Sequence, residues 1–319
     1  MTDTPTLAGL REAAHRISPF IHRTPVLTCR AINRMTGGEV YFKCENFQKI
    51  GAFKIRGATN AVSKLSDQQL ALGVATHSSG NHAAAVACAA ASRQARATVV
   101  MPENAPHIKK EAVAGYGATI IFCEPRPGAR EQALNQFLDE TKAHFIHPYD
   151  NRDVIEGQAS AALELLEEVA ELDVVLTPIG GGGLISGTAL ATHELSPDTR
   201  IIGTEPAGAD DACRSFRSGN LVPSQDPHTI ADGLLSSLSE RTFGIITRHV
   251  EDVVTVDDEQ ITYAMRTMWE RMKLVVEPSA AVPLAALLSG KVKISGQRIG
   301  IIVSGGNVDL DHLPWVKGQ

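Results

Sequence analysis

The sequence has no long apolar run and no paired cysteines. Nowhere in its 319 residues do apolar side chains approach the roughly 20 in succession that a membrane-spanning helix needs. The first residues lack the basic start and apolar core of a secretory signal. The five cysteines are scattered and odd in number, without the spacing of a zinc site or a disulfide framework. We therefore expect a soluble, cytoplasmic protein whose thiols are reduced.

A strongly basic surface is also absent. The formal net charge is -6 and no run of lysine or arginine occurs, so the sequence argues against binding to nucleic acid or to a membrane surface. Hydrophobic residues make up 43% of the chain and charged residues 21%, which is typical of a globular protein. The length allows two domains that share a cleft, or one large α/β unit.

Short apolar runs alternate with helical patterns along most of the chain. Such alternation is typical of parallel sheets with helices on their faces, so we predict an α/β fold. We predict that residues 73–145 form a small domain, inserted into a large domain made of residues 1–72 and 146–319. The predicted strands are residues 40–44, 73–77, 97–101, 119–123, 174–178 and 299–304, with weaker candidates at 201–205 and 250–256. The predicted helices are residues 5–17, 81–92, 129–142, 157–170, 184–194 and 259–273.

Lys54 is the candidate reactive residue. It lies between two apolar residues, Phe53 and Ile55, after a polar loop that contains Gly51. Burial disfavours the charged form of an amine, so a lysine in such a setting can act as a nucleophile and form a Schiff base with an aldehyde cofactor. Most lysines are solvated surface charges, and the segment taken alone favours that alternative.

Three loops of small residues follow predicted strands, where ligands bind in open parallel sheets. Residues 78–82 read Ser-Ser-Gly-Asn-His and suit a carboxylate, the four successive glycines in 179–183 suit a phosphate, and 304–307 begin with a serine that could reach a polar ligand atom. Any one of them could be only a tight connection. The spacings of the ATP-binding P-loop and of the dinucleotide fingerprint are absent, which argues against ATP and NAD. Together with Lys54, the loops supply the parts of a pyridoxal phosphate site.

These motifs, in this order, resemble those of the serine/threonine dehydratase and serine racemase family. Its members are fold type II pyridoxal phosphate enzymes, similar to the tryptophan synthase β subunit, and the resemblance runs from about residue 17 to residue 317. It implies two α/β domains with parallel sheets and the cofactor in the cleft between them. It also implies a small-molecule amino acid as the substrate and a homodimer.

The resemblance assigns roles to individual residues. Lys54 would carry the cofactor and take the Cα proton of the substrate, and Ser79 would stand on the opposite face as the second catalytic residue. Asn81 would bond the ring hydroxyl, and Ser304 would face the pyridine nitrogen. The implied cofactor contacts are Phe53, Lys54, Asn81, Gly180, Gly181, Gly182, Gly183, Leu184, Gly233 and Ser304. The implied substrate contacts are Ser78, Ser79, Asn81, His82, Arg130 and Ser236.

A serine at the pyridine nitrogen favours elimination over transamination, because it does not hold the ring protonated and leaves the cofactor a weaker electron sink. Departure of the β-hydroxyl, assisted by acid from the cofactor phosphate, would leave an enamine that hydrolyses to an oxo acid and ammonia. If Ser79 exchanges a proton, racemisation becomes a side activity or the main one. We therefore expect an ammonia-lyase, or dehydratase, of a β-hydroxy amino acid.

Two departures from the serine racemase and threonine dehydratase pattern point to the substrate. Ile50-Gly51-Ala52 replaces Thr-Gly-Ser before Phe-Lys, and Tyr149 stands where serine racemase has an asparagine. Both features are similar to those of the 3-hydroxyaspartate ammonia-lyases of the same family. We expect 3-hydroxyaspartate as the substrate, converted to oxaloacetate through iminosuccinate, with Arg130 or His82 holding its second carboxylate.

Several alternatives stay open. Within the family, the chain could be a serine racemase or an L-serine or L-threonine dehydratase. Outside it, the chain could be a binding protein without catalysis or a structural component of an oligomer. Arg130 could be a solvated charge near a helix start. Nucleotide activation is not expected, because Ala84 and Ile50 stand where animal serine racemases place polar contacts to ATP.

Glu205 and Asp211 are candidate ligands of a divalent cation. They lie six residues apart with the backbone carbonyl of Ala209 between them, and such hard oxygen atoms suit Mg²⁺ or Ca²⁺. The family has a divalent site of this spacing, so the resemblance implies Glu205, the Ala209 carbonyl and Asp211 as ligands of Mg²⁺, Ca²⁺ or Mn²⁺. The alternative is that Asp210 or Asp211 only caps the helix that follows.

Overall fold

The computed structural model of the chain describes residues 4–78, 80–105, 107–126 and 128–316. Ser79, one of the two predicted catalytic residues, lies outside these ranges. None of the helices in the described ranges combines the length and the apolar character that crossing a membrane requires.

Several helices begin where the sequence supplies a capping side chain. Asn151 accepts a hydrogen bond from the amide of Val154 at 3.0 Å, so a helix begins at Arg152, earlier than the predicted start at residue 157. Ser66 and Asp257 close capping boxes at two further helices. The described residues contain α1 (Leu7–Ile17), α2 (Arg30–Thr36), α3 (Lys54–Ser63), α4 (Asp67–Leu72), α5 (Asn81–Ser92), α6 (His107–Gly115), α7 (Ala129–Thr141), α8 (Arg152–Glu168), α9 (Gly183–Leu195), α10 (Asp211–Ser218), α11 (Glu240–His249), α12 (Asp258–Met272) and α13 (Pro278–Leu288).

The strands form two sheets. The described residues contain β1 (Val26–Thr28), β2 (Glu39–Cys44), β3 (Val74–His77), β4 (Ala97–Pro102), β5 (Thr119–Cys123), β6 (His144–Phe145), β7 (Val174–Pro178), β8 (Arg200–Pro206), β9 (Asp252–Val256) and β10 (Arg298–Val303). A six-stranded sheet has the order β1-β2-β10-β7-β8-β9, and a four-stranded sheet has the order β5-β4-β3-β6. All neighbouring strands run parallel except β1 and β2, which are antiparallel.

The predicted strands are all present, and their ends differ from the structure by no more than two residues. The prediction omits β1 and β6, because strands of three and two residues are too short to show an alternating pattern. Of the helices, it omits α2, α4, α6, α11 and α13. The last of these is buried on all sides from Pro278 to Leu287 and therefore shows no apolar stripe at helical spacing.

Two glycines let the helices next to the six-stranded sheet pack closely. A Cβ atom at Gly157 would lie 2.6 Å from the backbone carbonyl oxygen of Arg56 in α3. A Cβ atom at Gly187 would lie 2.7 Å from a backbone nitrogen of α8. Larger residues at these two positions would push the helices apart. The close packing sets the start of α3, at Lys54, relative to the start of α9, at Gly183.

A buried charge cluster attaches α3 to its surroundings. The guanidinium of Arg56 lies 2.6 Å from Glu45, which follows β2, and 2.7 Å from Glu164 on α8. Lys43 lies 2.6 Å from the other oxygen of Glu164. Burial by itself would lower the pKa of Arg56, but attraction first to Glu45 and then to Glu164 holds that pKa above its usual value. Arg56 therefore keeps its charge, and its ion pairs fix the helix that begins at Lys54.

Candidate active site

Residues that follow β3, β7 and β10 line a cleft of about 610 Å³. This is where open parallel sheets bind ligands. All the predicted cofactor and substrate residues within the described ranges line this cleft. They are Phe53, Lys54, Ser78, Asn81, His82, Arg130, Gly180, Gly181, Gly182, Gly183, Leu184, Gly233, Ser236 and Ser304. The structure thus brings together residues that follow strands of both sheets. The role of each residue stays a prediction.

Lys54 is the first residue of α3, and its amine lies in a largely desolvated position. The Nζ atom donates a hydrogen bond to the backbone carbonyl of Pro148 at 2.9 Å and lies 5.2 Å from the centre of the Phe53 ring. Burial lowers the pKa of Lys54 to about 8, and the negative charge of Glu277 opposes that shift. At pH 7 about a tenth of the molecules then carry the uncharged amine that a nucleophile requires, far more than for an ordinary lysine.

The glycine loop after β7 has the form of an anion cradle. Gly182 has a φ of 84°, which favours glycine, and α9 begins directly after it. The first backbone N–H groups of a helix have no partner within the helix and carry partial positive charge, so this loop suits a phosphate. A Cβ atom at Gly181 would lie 2.2 Å from a ring carbon of Tyr149, which leaves no space for a side chain there.

Ser304 supplies an unsatisfied polar atom at the end of β10. Its side chain is buried, and its hydroxyl has no hydrogen-bond partner within the described residues. The amide of Phe53 donates to the Ser304 carbonyl at 3.0 Å, which holds this residue next to the lysine loop. A buried hydroxyl without a partner is costly unless a ligand completes its hydrogen bond. The cleft therefore fits pyridoxal phosphate, with a glycine loop for the phosphate and a hydroxyl for the ring.

The prediction missed two residues that contact Asn81. The Nδ2 atom of Asn81 donates to the two oxygens of Glu277 at 2.9 and 3.1 Å, and its Oδ1 accepts from Asn307 at 2.8 Å. Glu277 is buried and lines the cleft. The available signal was an acidic residue between Val276 and Pro278, inside an otherwise apolar stretch.

Arg130 presents a free guanidinium to the cleft. Arg130 lies on the first turn of α7, and no hydrogen bond or ion pair joins its side chain to another described residue. His82 is different, because burial holds its pKa well below the usual value and its Nε2 is 3.0 Å from the carbonyl of Ile146. His82 is therefore uncharged, and Arg130 is the better partner for a second carboxylate.

The predicted metal residues lie near each other in sequence but do not line the cleft. Glu205 accepts hydrogen bonds from the amides of Ala212 and Cys213 at 3.0 and 2.9 Å. One oxygen of Asp211 is buried without a partner among the described residues, and Asp210 makes no capping hydrogen bond. Glu205, and not the predicted alternatives Asp210 and Asp211, thus caps α10. The described residues contain no group of three or more His, Cys, Asp or Glu side chains that could hold a metal.

The fold and the cleft define a pyridoxal phosphate-dependent enzyme of the α/β class. The chain belongs to the family described as pyridoxal-phosphate dependent enzymes, whose model matches residues 17–305. It is 49% identical to the β-hydroxyaspartate dehydratase of Paracoccus denitrificans over 98% of this chain and 99% of that protein. It is also 49% identical to the L-threo-3-hydroxyaspartate ammonia-lyase of Saccharomyces cerevisiae, over 96% and 94% of the two chains.

A solved structure supports the same family assignment. The serine racemase of Dictyostelium discoideum matches with a TM-score of 0.92 and 47% identity, covering 96% of this chain and 99% of that one. The predicted family, the fold type II architecture and the cofactor pyridoxal phosphate are confirmed.

The pKa of Lys54 predicts how fast the apoprotein binds its cofactor at different pH values. Only the uncharged amine attacks the aldehyde, so the rate should rise with pH and level off above about pH 8, the pKa to which burial lowers this lysine. An ordinary lysine would still gain uncharged amine up to about pH 10. Stopped-flow absorbance measures the rate, and a rise that continues to pH 10 would contradict a desolvated Lys54.

Gly181→Ala should weaken cofactor binding. The added methyl group would meet the Tyr149 ring at 2.2 Å, so the loop or the ring must shift and the phosphate cradle opens. We expect the dissociation constant of pyridoxal phosphate to rise about tenfold or more, because overpacking costs about 1–3 kcal/mol. Gly244→Ala is the matched control: nothing lies within 4 Å of that position in α11, so affinity should stay unchanged. Equal affinities in the two variants would mean that the loop tolerates a side chain.

Proposed function

We propose that the chain is an ammonia-lyase that converts 3-hydroxyaspartate to oxaloacetate and ammonia through iminosuccinate. The observation that carries the substrate assignment is the free guanidinium of Arg130 in the cleft, suited to the second carboxylate of a dicarboxylic substrate. The names of two relatives at 49% identity, a β-hydroxyaspartate dehydratase and an L-threo-3-hydroxyaspartate ammonia-lyase, support the same substrate and the same reaction.

Different residues of the cleft can carry out the separate steps of the elimination. When bound, pyridoxal phosphate supplies the electron sink for breaking the Cα–H bond of the substrate. Lys54 is the base available to accept the Cα proton, and the Pro148 carbonyl orients its amine. The hydroxyl on the neighbouring carbon then leaves with a proton as water, and hydrolysis of the product imine releases ammonia. Ser78, before α5, and the backbone N–H of Asn81, the first residue of α5, are proposed to hold the α-carboxylate.

Serine racemisation is the second candidate. The Dictyostelium relative, at 47% identity over 97% of this chain, is named a serine racemase. Racemisation needs a second group that exchanges a proton on the face opposite Lys54, and Ser79 is the residue proposed for it. The two candidates use the same cofactor and differ in whether the β-hydroxyl leaves.

A substrate panel separates the candidates. We expect ammonia and oxo acid from one or more 3-hydroxyaspartate stereoisomers at a higher kcat/KM than from L-serine, D-serine or L-threonine. Arg130→Ala should lower kcat/KM for 3-hydroxyaspartate about 10- to 100-fold more than for serine, the loss of one or two charge-assisted hydrogen bonds. Arg126→Ala is the control, since that exposed side chain pairs with Glu124 and does not line the cleft. Preferential turnover or racemisation of serine would refute the substrate assignment.

We also propose a divalent cation, preferably Mg²⁺, held by Glu205, the Ala209 carbonyl and Asp211. The buried Asp211 oxygen without a partner supports this, because a desolvated carboxylate oxygen needs a cation or a donor. Chelation should lower the melting temperature and Mg²⁺ should restore it. Asp211→Asn should abolish the effect of Mg²⁺, whereas Asp210→Asn should preserve it because Asp210 bonds Arg214 instead. A melting temperature that changes with neither chelator nor Mg²⁺ would refute the proposal.

The remaining proposals concern organisation. Residues 73–145 are proposed to be a small domain inserted into a large one of residues 1–72 and 146–319, because the four-stranded sheet is made only of β3 to β6. A cytoplasmic homodimer is proposed as well. All five cysteines are unpaired, as expected of a protein in a reducing compartment. Sedimentation at several protein concentrations would test the dimer.

A further inference from the structure

Glu277 is a buried carboxylate in the cleft to which the proposed reaction gives no role. The residue is 5% exposed, and no described lysine, arginine or histidine lies within ion-pair distance of its carboxylate. Burial raises the pKa of Glu277 to about 7. An unpaired carboxylate in such a position lowers the stability of the fold. A role in the site would explain why a carboxylate is placed there.

The hydrogen bonds that end at Glu277 have only one possible direction. The side-chain nitrogen of Asn307 lies 2.7 Å from the carbonyl of Ile50 and must donate to it, because a carbonyl can only accept. The same NH₂ group donates to the side-chain oxygen of Asn81 at 2.8 Å. The NH₂ group of Asn81 is therefore directed at Glu277, where one N–H is shared between the two oxygens, and its second N–H remains for the ring hydroxyl. If the Asn81 amide were flipped, its NH₂ group would face the NH₂ group of Asn307, and its oxygen would face the carboxylate of Glu277. Neither hydrogen bond could then form.

A carboxylate suits the end of this chain better than any other side chain. Its two oxygens accept from the Asn81 amide, and the nearby backbone N–H of Asn307 favours the charged form by lowering the pKa of Glu277. Glutamine at this position would direct its own NH₂ at one of these donors. The carboxylate occupies the space that a side chain at Gly305 would fill, since a Cβ atom there would lie 2.6 Å from its Oε1.

We propose that Glu277 is a positioning residue: it holds the Asn81 amide in one orientation and, through Asn81, the ring hydroxyl of the cofactor. The inference rests on the proposed function in one respect, the assignment of Asn81 to that hydroxyl. Glu277 also links Asn81 to the reactive amine, since its negative charge acts on Lys54 against the effect of burial. Neutralising Glu277 therefore alters both the binding of the cofactor and its electronic surroundings.

A double-mutant cycle tests the coupling between Glu277 and Asn81. Apoproteins of wild type, Glu277→Gln, Asn81→Ala and the double variant are titrated with pyridoxal phosphate and followed by visible absorbance. We expect each single variant to bind about 10- to 100-fold more weakly, the value of a hydrogen bond to a charged group, and the double variant to bind no more weakly than Asn81→Ala. Independent, additive losses would overturn the inference.

Three further measurements separate positioning from a structural role. The visible band of the wild type should show a titration step near pH 7, the pKa to which burial raises Glu277, and Glu277→Gln should lack this step. Glu277→Asp should restore the step in part. Asn307→Ala breaks the chain at its more exposed end, and it should weaken cofactor binding in wild type but not in the Glu277→Gln background.

The outcomes keep the two proposals apart. Yellow Glu277→Gln protein with wild-type affinity and an unchanged pH titration would overturn the inference and leave the proposed function standing. Wild-type protein that binds pyridoxal phosphate but releases no ammonia from any substrate would overturn the proposed function, while the coupling between Glu277 and Asn81 would still be measurable.

Discussion

A Lys54→Ala variant supplied with pyridoxal phosphate should stay colourless and lose its ammonia-lyase activity. The amine is held by the Pro148 carbonyl, and burial lowers its pKa to about 8, which supports its proposed role as nucleophile and base. Loss of the base alone should lower kcat by about 10²- to 10⁴-fold, and loss of the covalent cofactor link should lower it further. Absorbance spectra and ammonia release measure the two effects.

Lys49→Ala is the control for this substitution. Lys49 lies in the same segment but does not line the cleft, so the variant should keep both colour and activity. The other amine in the described part of the cleft belongs to Lys109, which pairs with Asp232. If Lys54→Ala remained yellow and active, another amine would carry the cofactor and the assignment of Lys54 would be wrong.

Arg56→Leu should destabilise the protein more than any other single substitution considered above. The change leaves Glu45 without its guanidinium partner in a fully buried position, and Glu164 keeps only Lys43. Breaking a buried ion pair by removing one partner typically costs about 3–5 kcal/mol, because an uncompensated charge stays in the interior. Urea unfolding of the apoprotein, followed by circular dichroism, gives the change in the free energy of unfolding.

The matched control is Arg23→Leu, which also breaks an arginine–glutamate pair to α8. Arg23 lies 3.1 Å from Glu167, but their side chains are 58% and 60% exposed. Exposed pairs contribute about 0–1 kcal/mol, so this variant should unfold close to wild type. Equal decreases in the free energy of unfolding of the two variants would mean that the surroundings of Arg56 relax or admit water. Burial would then not determine the cost of breaking the pair.

The local pattern of the sequence was sufficient to predict the strands and loops that form the site. The fully buried β7 and the partly exposed edge strand β5 both appear as short apolar runs, so both are predicted with their observed ends. The order of the lysine segment and the three small-residue loops was enough to predict the family and the cofactor, since each motif depends on neighbours along the chain.

Distant contacts decided several properties that the sequence pattern left open. His82 was a candidate cation, but its burial against the Ile146 carbonyl makes it neutral. Asp211 was a candidate cap, but Glu205 accepts from the first amides of α10 and leaves one Asp211 oxygen without a partner among the described residues.

The sequence by itself determined the α/β class and the cofactor and predicted the reactive lysine, because periodicity and motif spacing are properties of neighbouring residues. Only the tertiary structure decided which side chains are charged, buried or paired. Glu277 meets Asn81 across 196 positions of the chain, and Arg56 meets Glu164 across 108. The pKa and hydrogen bonding of such groups depend on solvent exclusion and on partners that no local pattern specifies.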